Sequence, residues 1–251
     1  MIASYAAERL GVPHDAIRSD LHVLIAGYTV PALLYFDPRE EPPPCDIPAE
    51  CGEGHINGRG ATRCASCGAG LAMKSRYEIW HYALTNAYFC EHQNMPLSVR
   101  YTHVLQHLPT LRPYPQSGSE DYYDSIYAVT HLIYTLNAYG ASPVSRTELA
   151  EECRFLELSM PWVLEQGGVD TIAEVVESLV ALGLPDDDPR IEQARGLLLQ
   201  RQREDGGWGD EADDYRCFHN VWAALDGLRE FAWREATNGG AILQARPLQL
   251  S

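Results

Sequence analysis

The sequence has no run of about 18 apolar residues, so no membrane-spanning helix is expected. Basic residues are scarce: 19 Lys and Arg stand against 35 Asp and Glu, a formal net charge of −16. Nucleic-acid binding needs a basic face to neutralise phosphates, so that partner class is not expected. Anionic membrane surfaces are disfavoured on the same ground, and solubility is the plain consequence of the charge. No G-x-x-x-x-G-K-[ST], G-x-G-x-x-G, G-x-S-x-G or H-E-x-x-H occurs. Nucleotide, dinucleotide and serine-hydrolase readings therefore lack support. The opening stretch, MIASYAAERLGVPHD, carries acids and no long apolar segment, unlike a secretory signal. Seven cysteines is an odd number, and four crowd into one loop, which does not suit a secreted disulfide framework. Reduced thiols and a cytoplasmic location are expected.

No alternating strand pattern competes with helical spacing. Helices are expected over 14–36, 72–93, 98–108, 122–139, 146–164, 169–182, 191–201 and 215–233. In the first, Ile17, Leu21, Leu24, Ile25 and Tyr28 recur at helical spacing, and Pro31 marks a kink or break. Gly140, Gly167, Gly168, Gly183, Gly206 and Gly207 punctuate the rest, with Pro143, Pro185 and Pro189 where helices end or start. The expectation is one all-α domain over residues 1–251. Helical hairpins recur in it at roughly 40–50 residues, a period that suggests stacked units. Residues 37–70 differ in kind: proline, glycine and cysteine dominate, and the segment reads as an inserted loop.

Residues 197–228 read as helix, glycine turn, helix. Within them Gln202, Asp205, Gly206, Gly207 and Trp208 spell Q-x-x-D-G-G-W. This resembles the QW repeat of the terpene-cyclase and protein-prenyltransferase superfamily. The resemblance implies an α/α toroid, a ring of helical hairpins whose inner helices surround a cavity. In it Gln202 and Trp208 would be scaffold, with the Gln202 amide bonding free backbone groups at helix ends. Class II terpene cyclases of this group protonate an alkene with an Asp of a D-x-D-D motif. The matching place here holds Glu211, Asp213 and Asp214, an E-x-D-D. Prenyltransferases bind zinc with Asp, Cys and His, and Asp213, Cys217 and His219 have the right types at a different spacing.

A second pattern lies outside the resemblance. Tyr77/His81, Tyr127/His131 and Tyr215/His219 each open an expected helix as Tyr-x3-His, and Tyr88/His92 repeats the pair on the first of these helices. Residues four apart share a helix face. If those helices are inner ones, His81, His131 and His219 point at one cavity, with His22 as a possible fourth. Imidazoles converging from separate helices suit a first-row divalent metal: zinc, iron or copper. The tyrosines would orient them or the substrate, with Tyr127 and Tyr215 as catalytic candidates beside Asp213 and Asp214. Asp124 or Glu174 would supply a carboxylate. The bland alternative is repeat ancestry with an aromatic core. His103 and His107 read as surface histidines, and Asp186–Asp188 as a helix start.

Cys45, Cys51, Cys64 and Cys67 run C-x5-C-x12-C-x2-C, with His55 inside. The Cys64–Gly68 end has the form of a zinc knuckle. A loop so poor in apolar residues needs a structural zinc to order it. Free thiols or a redox pair are the alternatives, and the loop would serve as support or as a lid.

The leading expectation is a metal-dependent enzyme of biosynthesis acting on a small, largely apolar metabolite. Its class stays open among oxidoreductase, lyase or cyclase, and transferase. A terpenoid cyclase or prenyltransferase using Glu211, Asp213 or Asp214 is the second reading. The third is a non-enzymatic helical scaffold that grips a peptide or partner protein and holds only a structural zinc. Self-association is left open.

Overall fold

A computed structural model describes residues 1–209 and 214–231, and within them every side chain except those of Ile2, Arg9, Asp214 and Tyr215. The described residues are mostly helical and contain no strand; two isolated bridges, Pro48–Met73 and Arg63–Gly70, close turns in the cysteine loop. The chain divides between Pro115 and Gln116 into two compact units.

The first unit holds α1 (Ile2–Arg9), α2 (Asp15–Ala26), α3 (Val30–Leu34), α4 (Arg76–His92), α5 (Tyr101–Leu105) and α6 (Leu108–Leu111). The helix expected over 14–36 is broken. α2 stops at Ala26, and Pro31 sits in the first turn of α3, where a missing N–H costs nothing. Thr29 caps α3 by accepting from the Ala32 N–H at 3.4 Å. α4 is the unit's core helix, with Ile79, Trp80, Ala83, Leu84 and Ala87 fully buried. Ser75 caps it by accepting from the Glu78 N–H at 3.0 Å. Trp80 ties it to α5 by donating its indole N–H to the Val104 carbonyl at 3.0 Å. The segment expected as one helix over 98–108 is two short helices.

The second unit holds α7 (Tyr122–Leu136), α8 (Ala150–Gln166), α9 (Val169–Ala181), α10 (Pro189–Gln200) and α11 (Asp214–Leu228). α9 is central: every residue from Thr171 to Ala181 is buried, and α7, α8, α10 and α11 all pack on it. A helix apolar on all but one stripe is driven to such a position. α7 and α11 both pack on α9, while α8 and α10 pack on α9 and on each other. α9 and α11 approach closely because residue 227 is glycine. A Cβ there would stand 2.9 Å from the Ala173 backbone.

The turn between α10 and α11 carries the Q-x-x-D-G-G-W segment. Trp208 is 3% exposed and donates its indole N–H to the Leu198 carbonyl at 2.7 Å, a carbonyl of the last turn of α10 that also accepts from the Arg201 N–H at 3.2 Å. The Gln202 amide does not reach a helix end; it donates to the Gly206 carbonyl at 2.8 Å and stiffens the turn itself. Gly206 has φ +86, a conformation that costs glycine nothing.

Candidate functional site

The loop before α4 folds back on itself. Ala49 donates its N–H to the Ala72 carbonyl and Lys74 to that of Ile47, each at 2.8 Å. Inside this closure Cys51, His55, Cys64 and Cys67 each bring a ligand atom within 4.8 Å of the others. The Cys51 sulfur lies 3.3 Å and the Cys64 sulfur 3.7 Å from His55 Nδ1. Around a tetrahedral zinc, ligand atoms stand about 3.5–3.8 Å apart, so the group can bind one such metal. Cys45, expected as a ligand, is exposed and outside this group; His55 takes the fourth place. The longer C-x5-C spacing carries Cys45 away from the turn that brings Cys51 to Cys64. Asn57 holds that turn, donating to the His55 carbonyl and accepting from the Ala65 N–H, each at 3.0 Å. Backbone N–H groups of Cys67 and Ser66, with the Asn57 amide, face the Cys64 sulfur and lower its pKa to about 6, which favours the thiolate a metal needs.

The Tyr-x3-His pairs have a local cause. His81, His92 and His131 each direct Nδ1 at the carbonyl of the tyrosine four residues earlier, at 3.1, 3.2 and 2.8 Å. A carbonyl only accepts, so each Nδ1 carries a proton. Tyr88 and His92 stack at 4.1 Å, Tyr127 and His131 at 5.7 Å.

In the second unit the pattern becomes a site. α9 presents Asp170, Glu174 and Glu177 on one stripe at helical spacing. α7 presents Tyr123, Tyr127, His131 and Tyr134, α11 presents His219 and Asp226, and Arg229 follows just past its end. Glu174 is 4% exposed, and it accepts from the Thr130 hydroxyl at 2.8 Å. His131 Nδ1 approaches it at 3.9 Å from α7, and His219 Nε2 at 3.9 Å from α11. His219 turns Nδ1 towards Asp170 at 3.9 Å, and Asp170 accepts from the Tyr127 hydroxyl at 2.5 Å. Burial raises the Glu174 pKa to about 7, against the opposing pull of His219 and the Thr130 hydroxyl. Burial also lowers His131 to about 4, so that imidazole is neutral at ordinary pH. Tyr127 is held well above the usual phenol range by burial and by Glu174 and Asp170.

At the other end of the seam Glu177 is 3% exposed and pairs with Arg229 at 2.5 Å, while Arg229 also meets Asp226 at 3.1 Å. Burial, then the Asp226 charge, push Glu177 up to about 8. Burial raises Asp226 too.

Of the expected histidine ligands, the structure brings together His131 and His219, with Glu174 between them. His81 belongs to the first unit, and His22 is exposed on α2. Glu211 and Asp213 lie outside the described residues, as do the side chains of Asp214 and Tyr215. Asp124 is half-buried on α7. His107 and His103 form no pair: His107 Nε2 donates to the Pro38 carbonyl at 2.7 Å, and His103 accepts from the Arg100 N–H at 3.1 Å. Asp188 caps α10 by accepting from the Arg190 N–H at 2.9 Å. Asp170, Glu177, Asp226 and Arg229 escaped notice in the sequence. The signal was available, since acids recurring along one stripe of an otherwise apolar helix are costly unless used. Comparison with family models, with curated proteins and with solved structures gives no match to this chain.

Proposed function

We propose that the chain is an enzyme acting on a small, largely apolar metabolite, with a proton-transfer centre at the seam of α7, α9 and α11. The observation that carries this is Glu174: a buried carboxyl with a pKa near 7, faced by imidazoles from two other helices. A group poised near the working pH both gives and takes a proton, which is what general acid–base catalysis needs. Glu174 is the acid or base, and His219 the second proton carrier. Asp170 orients His219 through Nδ1, and Tyr127 holds Asp170. Carbon-13 carboxyl NMR across the pH range, with Glu174→Gln for assignment, tests it. A Glu174 midpoint near 7 is expected, and one in the ordinary carboxylate range would sink the proposal.

The cysteine loop holds a structural zinc on this reading, because four protein ligands close the coordination sphere and leave no position for substrate. The alternation of α7, α9 and α11 with α8 and α10 and the Trp208 turn support an α/α toroid of the terpene-cyclase and prenyltransferase kind.

A second reading places a divalent zinc, iron or copper on His131, His219 and Glu174. It is favoured by His219, which turns Nδ1 towards Asp170 and Nε2 towards Glu174, whereas His131 would have to turn its ring to offer Nε2. Metal analysis separates the two: one metal per chain leaves the proton centre, and two bring in the histidines.

A further inference from the structure

The seam carries more acid than base, and the imbalance is local. Arg229 is committed to Glu177 and Asp226 at one end. At the other end Asp170 and Glu174 meet histidines, and among the described residues no Lys or Arg pairs with either. Burying a carboxylate without a cation is costly, so the unpaired end favours a positive partner. Along α7 the rings form a ladder facing these acids, with centroids 4.9 Å apart for Tyr123 and Tyr127, 5.7 Å for Tyr127 and His131, and 5.8 Å for His131 and Tyr134. Ring faces attract cations as well as carbon. Ser178 sits one turn beyond Glu174 on the same stripe of α9. It is wholly buried, and its hydroxyl has no partner. The open end is polar and reachable: the side chains of Asp170 and His219 are 23% and 28% exposed.

We propose that the seam binds an organic ammonium ion, so that the substrate class is a small amine with an otherwise apolar body. The cationic nitrogen lies against Asp170 and Glu174, and the carbon body packs on Tyr123, Tyr127 and His131. This rests on the seam being the reactive centre. An anionic substrate would set like charges together, and a neutral one would leave the acids uncompensated.

The test uses the full chain with n-butylammonium, n-butanol and butyrate as probes, followed by calorimetry and by NMR shifts of α9. The ammonium is expected to bind at least about tenfold more tightly than the alcohol, with no butyrate binding. Asp170→Asn and Glu174→Gln are each expected to weaken it about tenfold or more and to leave the alcohol unchanged. Asp187→Asn, an exposed acid, is expected to change nothing, which excludes general attraction to an acidic chain. Circular dichroism and thermal midpoints establish that the variants fold. Should Glu174→Gln fail to fold, Tyr127→Phe replaces it, with a measurable weakening expected. Equal binding of ammonium and alcohol, or ammonium binding that survives these changes, overturns the inference. A Glu174 midpoint near 7 without ammonium preference overturns the substrate class alone. A Glu174 midpoint in the ordinary range overturns the reactive centre itself.

Discussion

Glu177 of α9 and Arg229, just past α11, meet at 2.5 Å, with the carboxylate buried and the guanidinium one-third exposed. Arg229 also reaches towards the Tyr139 carbonyl, so one side chain ties three segments of the second unit together. Removing it leaves Glu177 buried beside Asp226 without a cation. Above pH 8, where Glu177 is ionised, breaking a buried pair costs about 3–5 kcal/mol, and the exposure of Arg229 brings the expected loss for Arg229→Ala to about 2–3 kcal/mol. Urea unfolding measures it. A loss below that of an ordinary surface arginine would show that the pair is not structural.

The same acids set a pH dependence. Glu177 has a folded pKa of about 8 and Glu174 of about 7, both raised from 4.5. The folded state therefore holds protons that the unfolded state has released. The stability these groups contribute is fully present below about pH 4.5 and is lost as pH rises through 7 and 8. His131 works the opposite way, with a folded pKa of about 4 against 6.5, so its contribution is lost as pH falls through that range. The difference between wild type and Glu177→Gln isolates one acid. Wild type is expected to lose stability relative to the variant between pH 5 and 8, as read from urea midpoints at several pH values. A constant difference across that window would refute it.

The cysteine loop gives a sharper test of which residues act. Cys64→Ser and His55→Ala are expected to lower metal content from one ion per chain, while Cys45→Ser keeps it. Chelation is expected to loosen residues 46–74, seen as faster amide exchange there and not in α9. Metal retained in His55→Ala and lost in Cys45→Ser would reverse the ligand assignment.

What was legible in the sequence was whatever depends on local rules. Helical spacing gave α4 and α7 to α11 within a few residues, because glycines and prolines mark their ends. Pro31 was legible as a break but not its place, since a proline in a first turn and one in a kink look alike until the cap at Thr29 is seen. Cys51, Cys64 and Cys67 were legible from their types. Cys45 against His55 was not, because loop closure decides which donor arrives. The Tyr-x3-His pairs were visible, yet their common cause is a bond within each helix from ring to carbonyl. That local bond recurs whether or not the helices face each other. Asp170 and Arg229 were missed because acids at helix starts and cations after helix ends ordinarily mean capping, and Glu177 because an acid within a helix ordinarily faces solvent.

Trp208→Phe keeps the ring but leaves the Leu198 carbonyl without its indole donor in a buried place. The carbonyl keeps the Arg201 N–H at 3.2 Å, so the cost is that of one net hydrogen bond, about 0.5–1.5 kcal/mol, and that loss is expected in urea unfolding. Gln202→Ala, which loses a bond in an exposed turn, is expected to cost less. If the order were reversed, the turn would depend on the amide and not on the tryptophan.

Gly227→Ala probes the approach of α9 to α11 on which the site depends. The added Cβ would stand 2.9 Å from the Ala173 backbone, which has no flexible end to swing away. The helices must part by several tenths of an ångström, and overpacking of this kind costs about 1–3 kcal/mol. The functional effect follows from the same movement, because α11 carries His219 towards Glu174. Distance weakens the attraction of His219, the charge that opposes burial at Glu174. The Glu174 midpoint is therefore expected to rise in Gly227→Ala. Carboxyl NMR reads that shift, and an unchanged midpoint in a destabilised variant would mean that His219 does not set the acidity of Glu174.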